Sequence, residues 1–414
     1  MYEEHGGMED YLRYLNRILC ERSTMTTILV HLTCKHGQGE EITDLPNGAR
    51  LVRVPVFVRK KYSVDAKVVQ KSELVRWPRL KHVLRFVLTS NSAFRRPLLA
   101  MCRRRWDMRS WTDCEPEGIA VEMERLLCRF KVDLMVLHSQ GGKDAYEVIR
   151  KATKRSIPVI CQNHFANERF YYFDVAAQSE MAAGVAGVSA IGVPGYLRRR
   201  FVNLSDAIDL DLFDPERAEV SPFHSNDTQL LVMSGRISPE KGQSDAIEVV
   251  RRLRDSGLNP QLVFAGRVDS PGFLEELKRY AARHGLEDQI RFVGCLTQVE
   301  LRNLYKCSSV FMLPTQIEGL GRVLLEAQAM KVPPVAYDVG GTSGAILNGV
   351  TGFLIRKGDI AGFTQAAAKL LASENLRRQM GEAGRSYVES NFSLPSLARR
   401  HEEYYLRVIN AVNP

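Results

Sequence analysis

The sequence predicts an α/β protein in which parallel sheets are covered by crossover helices, divided between two domains. Three observations lead there. From residue 229 to residue 355 short apolar runs alternate with amphipathic stretches of helical period, and such alternation builds parallel sheets with crossover helices. Twice in that span, at Gly235 and at Gly319–Gly321, an apolar run passes through glycine into a helical pattern. That is how a strand turns into a helix at the carboxyl edge of an open sheet, where ligands bind. Finally, 414 residues favour more than one domain, and a hydrophobic share of 45% is ordinary for a globular chain.

The first domain is expected over 1–218. Strands fall near 27–32 and 51–57, and a basic insertion, largely helical, occupies 50–112. A helix follows over 115–130, a strand over 133–138, a helix over 143–154 and a strand over 157–162. The polar segment from Asp214 to Asn226, which contains Pro222, reads as a linker. The second domain, 219–392, alternates strands at 229–235, 261–266, 290–293, 309–313, 333–336 and 352–355 with helices at 240–254, 272–284, 297–306 and 322–331. Long amphipathic helices close the chain, from about Ile360 through Glu389 and from Pro395 to Asn410.

Charge is uneven along the chain. Between Arg50 and Arg109 stand 17 Lys/Arg against 3 Asp/Glu, a net +14 in a chain whose total is +9, so the remainder is acidic. Trp77, Phe86, Phe94 and Trp106 are interleaved with this charge. Basic helices with aromatic residues commonly lie on anionic membrane surfaces. A solvated basic face, or a site for an acidic soluble acceptor, are the competing readings. Nucleic acid is disfavoured, because no nucleic-acid module accompanies the charge. No apolar run approaches a membrane span, and the start Met1-Tyr-Glu-Glu-His lacks the form of a signal peptide. Eight scattered cysteines without CxxC spacing suggest neither disulfides nor structural zinc, which fits the reducing cytoplasm.

Chemistry concentrates at the two glycine turns. In Ser309-Val-Phe-Met-Leu-Pro314, the proline ends the strand, and from Arg322 onward Val323, Leu324, Ala327 and Met330 recur at helical spacing. Glu318 therefore lies on the loop and Glu326 about a turn into the helix. Gly319 and Gly321 allow close backbone approach, and the N–H groups of the helix start attract an anion. Two carboxylates beside an anion site suit a ligand with phosphates and many hydroxyls, such as a nucleotide sugar. Two solvated glutamates on a surface loop are the plainer alternative. At the other turn Arg236 and Lys241 flank Gly235. Arginine grips phosphate with a planar fork and lysine with a point charge, enough for a pyrophosphate leaving group with no metal bound. Each cation alone would read as an ordinary surface charge.

The order Gly235-Arg236…Glu240-Lys241-Gly242, Phe292-Val-Gly294, Glu318-x7-Glu326, Pro334-Val-Ala-Tyr-Asp338-Val-Gly340-Gly341 and Asn348-Gly-Val-Thr351-Gly352 resembles the retaining glycosyltransferases of family 4. The match spans about 229–392. A weaker match upstream rests on His5-Gly6-Gly7-Met8-Glu9 and on Ile157-Pro-Val-Ile-Cys-Gln-Asn-His164, while Ala207-Ile-Asp209-Leu-Asp-Leu-Phe213 resembles the family's linker into the second domain. The resemblance implies the GT-B architecture, two facing Rossmann-like domains, with 393–414 forming a helix that returns to the first. It implies that Gly235, Arg236, Lys241 and Gly294 bind the donor diphosphate and base, with uridine expected. Glu326 would accept from ribose hydroxyls, Glu318 with the amides of Gly319, Leu320 and Gly321 would face the transferred sugar, and His164 would contact it near the reacting centre. His138 is a rival for that last role. Gly6 and Gly7 would form the first domain's glycine loop, although the chain leaves no room for the strand that normally precedes it. Where the family usually carries Pro-Glu after its paired glycines, this chain reads Gly341-Thr-Ser-Gly344.

The implied function is transfer of a sugar from a nucleotide diphosphate, expected to be a UDP-sugar, to an acceptor hydroxyl with retention of configuration. No metal or other cofactor is expected. The acceptor would be a glycan or lipid-linked glycan of the cell envelope, polysaccharide or lipopolysaccharide, reached by a cytoplasmic enzyme peripheral to the inner face of the plasma membrane. A non-catalytic partner subunit, or an epimerase or phosphorylase on the same fold, are the alternatives.

Overall fold

Leu230–Ser234 and Val310–Leu313 are buried at every position, which is how strands covered on both faces by crossover helices read. The computed structural model of the protein describes residues 28–33, 41–44, 50–55, 125–129, 132–138, 142–163, 178–188, 190, 193, 195–204, 206–223 and 229–412. These divide into two compact units, one within Ser205–Arg399 and the other within Asn16–Leu204 and Arg400–Pro414.

The first of these units is a six-stranded sheet of β8 (Leu230–Ser234), β9 (Gln261–Ala265), β10 (Ile290–Phe292), β11 (Val310–Leu313), β12 (Pro334–Tyr337) and β13 (Phe353–Ile355). Every pairing is parallel, in the order β10-β9-β8-β11-β12-β13. The chain builds outward from β8 in one direction, then crosses to β11 and builds in the other. The sheet's order therefore reverses between β8 and β11, the place where doubly wound folds open a crevice for ligands. Helices Gln243–Asp255, Pro271–Arg283 and Ile360–Ala372 pack Ile247, Val250, Leu277, Phe363 and Leu370 into one core with Leu231, Phe264 and Met312. The helix Gln298–Lys306 begins in a reciprocal cap, Thr297 with Glu300, which satisfies two N–H groups that would otherwise lack partners. It delivers Tyr305 edge-on to Phe311, 5.8 Å between ring centres.

The other unit contains a parallel sheet in the order β4 (Met135–Leu137), β5 (Val159–Asn163), β6 (Gly184–Gly187) and β7 (Phe201–Asn203). Helix Gly142–Lys154 contributes Val148, Ile149 and Ala152 to a core with Met135, Val159 and Cys161. Burial pushes the Cys161 thiol up to about 12, so this cysteine is an inert core residue. From the end of the last helix, Leu394–Val412, the Tyr404 hydroxyl donates to the Val185 carbonyl at 3.3 Å, and His401 lies 3.4 Å from the Gln162 amide. In a separate three-stranded sheet β1 (Ile28–Thr33) runs parallel to β3 (Arg50–Pro55), while β2 (Glu41–Asp44) pairs antiparallel to β3.

Four local expectations change. The helix expected from 240 starts at Gln243, because Pro239–Lys241 forms a separate 3₁₀ turn closed by Gly242. Lys241 thus sits on the turn and not within the helix. The stretch from Ile360 to Phe392 breaks at Ser373, whose hydroxyl accepts from the Leu376 N–H and starts a new helix. Strands β6 and β7 were not foreseen: Gly-Val-Ala-Gly carries a single branched side chain and no alternation, and Phe201–Asn203 is too short to show a period. Strand β2 carries two acidic residues in four and gave no apolar signal.

Candidate functional site

Two loops at the carboxyl edge meet over the β8–β11 reversal. Gly242 has φ +82°, and a Cβ there would collide with the carbonyl of Pro314. Glycine is needed for both reasons. The approach is held by the Gln316 N–H, which donates to the Glu240 carbonyl at 2.7 Å, and by the Thr315 hydroxyl donating to the same oxygen at 3.2 Å. On the far side Gly341 lies against the Gly319 carbonyl, where a Cβ would overlap it, and its N–H donates to the Glu318 carbonyl at 3.2 Å. The loops after β8, β11 and β12 are thereby interlocked through backbone.

That interlock sets the side chains. Lys241 Nζ donates to Glu318 Oε2 at 2.8 Å, with the two side chains only 18% and 15% exposed. Glu318 Oε1 also accepts from the Gly319 N–H at 3.2 Å. Solvent and salt screen such a pair less than an exposed one. Gly321 caps the helix Arg322–Ala329, and Leu320 is buried beside it. Further back, Gly235 donates its N–H to Ala265 and Gly266 donates to Gly294, extending the ladder past the ends of β8 and β9.

Arg236 is not drawn into the Lys241–Glu318 pair. Its guanidinium donates to Asp269 at 2.6 Å and to Glu240 at 3.3 Å. The hydrogen bond from Arg236, aided by Arg267, holds the Asp269 carboxyl below its usual range. For Glu240 desolvation opposes ionisation, but its own backbone N–H, the Ser238 hydroxyl and the charges of Arg236 and Lys241 together lower it. Glu326 is 8% exposed and lies within 3.5 Å of the Tyr305 hydroxyl, which in turn is 2.6 Å from Ser234 Oγ. Burial, with Glu326 adding its charge, drives the Tyr305 phenol well above its ordinary value. Burial likewise raises Asp206 to about 6 against the pull of Arg322, the first residue of the glutamate-bearing helix.

Of the residues singled out in the sequence, the structure therefore joins Lys241 to Glu318 and sets Gly235, Gly294, Gly319, Leu320 and Gly321 along the same edge. Arg236 and Glu326 each have their own partners. His164, Gly6, Gly7 and, apart from the backbone of Arg50–Pro55, the basic segment lie outside the described residues. His138 follows β4 in the other unit. Sequence reasoning passed over Asp269, Ser234 and Tyr305. For Asp269 there was a signal: Ala265-Gly-Arg267 repeats the Ser234-Gly-Arg236 pattern one strand later. For Tyr305 there was none, since an aromatic residue at helical spacing reads as core.

Residues 216–387 match the family model described as glycosyl transferases group 1. The chain is 30% identical over 181 residues to the capsular polysaccharide biosynthesis glycosyltransferase CapM of Staphylococcus aureus, covering 44% of this chain and 46% of that protein. It is 28% identical over 293 residues to glycogen synthase of Mycobacterium tuberculosis, 66% of this chain and 68% of the relative. The matched region thus spans less than half of CapM. Among solved structures, sucrose-phosphate synthase from Thermosynechococcus elongatus superposes with a TM-score of 0.65 at 16% identity, covering 98% of this chain and 94% of that one. HepE of Anabaena, solved in complex with UDP, superposes with a TM-score of 0.58 at 16% identity over 69% of this chain and 81% of its own. The fold is of the GT-B type.

Proposed function

We propose that this chain, whose residues 216–387 belong to the glycosyl transferases group 1 family, transfers a sugar from a nucleotide diphosphate to an acceptor hydroxyl with retention of configuration. The observation that carries this reading is the Lys241–Glu318 pair, 2.8 Å apart and largely buried where the strand order reverses. A cation and a carboxylate shared by two glycine loops fit a ligand that is anionic at one end and rich in hydroxyls at the other.

On this reading a diphosphate competes with Glu318 for the Lys241 ammonium, and Arg236, already oriented by Asp269, supplies the second cation. Displaced from lysine, Glu318 accepts from the hydroxyls of the transferred sugar, beside the amides of Gly319, Leu320 and Gly321. Glu326 accepts from the ribose. The protein positions the reactants and stabilises the charge that develops on the departing diphosphate; that diphosphate then takes the acceptor's proton. His164 is assigned to the sugar beside the reacting centre. UDP is the proposed carrier, supported by the UDP complex of the structural neighbour HepE. A cell-envelope glycan is the proposed acceptor, supported by the relationship to CapM. No helix among the described residues is long and apolar enough to cross a membrane, and the basic segment Arg50–Arg109 is assigned to an anionic membrane face.

Incubation with UDP-glucose, UDP-N-acetylglucosamine and GDP-mannose, followed by mass spectrometry, tests the proposal through slow hydrolysis of the donor. One donor is expected to release free sugar and nucleoside diphosphate, with the rate falling about 100-fold in Lys241→Ala and in Glu318→Ala, the scale of losing one charge-stabilising group. Turnover undiminished in both variants would remove this site from the chemistry.

A further inference from the structure

We propose that Tyr305, relaying from Ser234, is a positioning residue that fixes the Glu326 carboxylate for the ribose of the donor; the inference rests on the nucleotide-sugar reading above. Tyr305 is fully buried at the end of the helix Gln298–Lys306, with its ring edge-on to Phe311 and 6.3 Å from Phe213. The ring is packing. The hydroxyl is the only polar atom of the side chain, and it stands between Ser234 Oγ at 2.6 Å and Glu326 Oε2 at 3.5 Å.

Proton accounting gives the chain a direction. An ionised carboxylate only accepts, so the Tyr305 proton points to Glu326 and its oxygen accepts from the Ser234 hydroxyl. The phenol keeps its proton across the accessible pH range, because burial and the adjacent carboxylate both oppose its ionisation. Ser234 is the last residue of β8, immediately before Gly235, whereas Glu326 lies on the helix after β11. The relay therefore spans the reversal point, and it couples the phosphate loop to the ribose carboxylate. Two neighbouring hydroxyls engage one carboxylate only if its plane is fixed, and a side chain 8% exposed with one oxygen tethered is restricted in that way.

Binding of UDP and GDP, and of their 2′,3′-dideoxy forms, by titration calorimetry to the full chain and to Tyr305→Phe provides the test. The native chain is expected to prefer the ribose form of one base by at least about tenfold, the worth of a hydrogen bond to a charged group. Tyr305→Phe keeps the ring, and should weaken the ribose form roughly three- to tenfold while leaving the dideoxy form unchanged. Ser234→Ala should shift the same preference in the same direction, and it reports independently should Tyr305→Phe fail to fold. A purely structural role would weaken both ligands alike or neither, and either result overturns the inference. A native chain that binds both forms equally overturns the ribose role of Glu326, and the inference falls with it. A native chain that discriminates, with both variants retaining full discrimination, sinks the relay alone.

Discussion

At the scale of single residues, the site is a set of carboxylates whose neighbours pull them in opposite directions. Glu240 and Asp269 face cations and are lowered, whereas Asp206 is dominated by burial. Its folded value of about 6 stands above the ordinary 3.8, with desolvation outweighing Arg322. The folded state therefore binds this proton more tightly than the unfolded chain does. The stability it contributes is complete below pH 4 and is lost as pH rises through about 6, a window worth roughly 3 kcal/mol at most. In Asp206→Asn that loss should vanish. Urea unfolding at pH 4, 5, 6 and 7 should show native stability dropping further than the variant's; parallel curves would mean that Asp206 is solvated and ordinary.

Elements supply what residues cannot, the close approach of one loop to another. The turn Pro239–Lys241 ends at Gly242, and the left-handed conformation of that glycine starts the next helix with its backbone against Pro314. An alanine there meets both the cost of a positive φ and a collision with backbone, which a flexible side chain could have avoided. Gly242→Ala should lower stability by about 2 kcal/mol or more, and should separate Lys241 from Glu318, so donor hydrolysis falls even where folding survives. A variant with native stability and native hydrolysis would show that the two loops are free of each other. Gly235, Gly319 and Gly321 were legible beforehand, standing between apolar runs and helical patterns, because chain reversal and close approach demand glycine locally; Gly242 was read as part of the helix. The start of the helix was misplaced by three residues because Pro239 and Gly242 both punctuate the same short stretch. Strand β6, buried but rich in glycine, and strand β7, three residues long, are held by pairing with their sheet neighbours and left no periodic trace.

For the whole molecule, the proposed phosphate and ribose contacts all fall within one of the two units. A nucleotide diphosphate that binds only the folded state stabilises it by about 2.7 kcal/mol at a hundred times its Kd. Hydrogen exchange with and without UDP should show added protection across 235–242 and 314–322, while strands β4 and β5 change little. Protection spread evenly over both sheets would indicate global stabilisation and no site at the β8–β11 edge. The sequence alone determined that this chain has alternating strands and helices, that two strand ends turn through glycine, and that Arg236, Lys241, Glu318 and Glu326 lie at those turns. Each of these is a local property, fixed by side-chain period and by backbone conformation within a dozen residues. Only the tertiary structure decided that Lys241 faces Glu318 across 77 positions of sequence, that Arg236 turns instead to Asp269, and that Tyr305 stands behind Glu326. Those pairings follow from the strand order, which makes β8 and β11 neighbours although two strands and three helices intervene in the chain, and no local pattern records which strands will lie side by side.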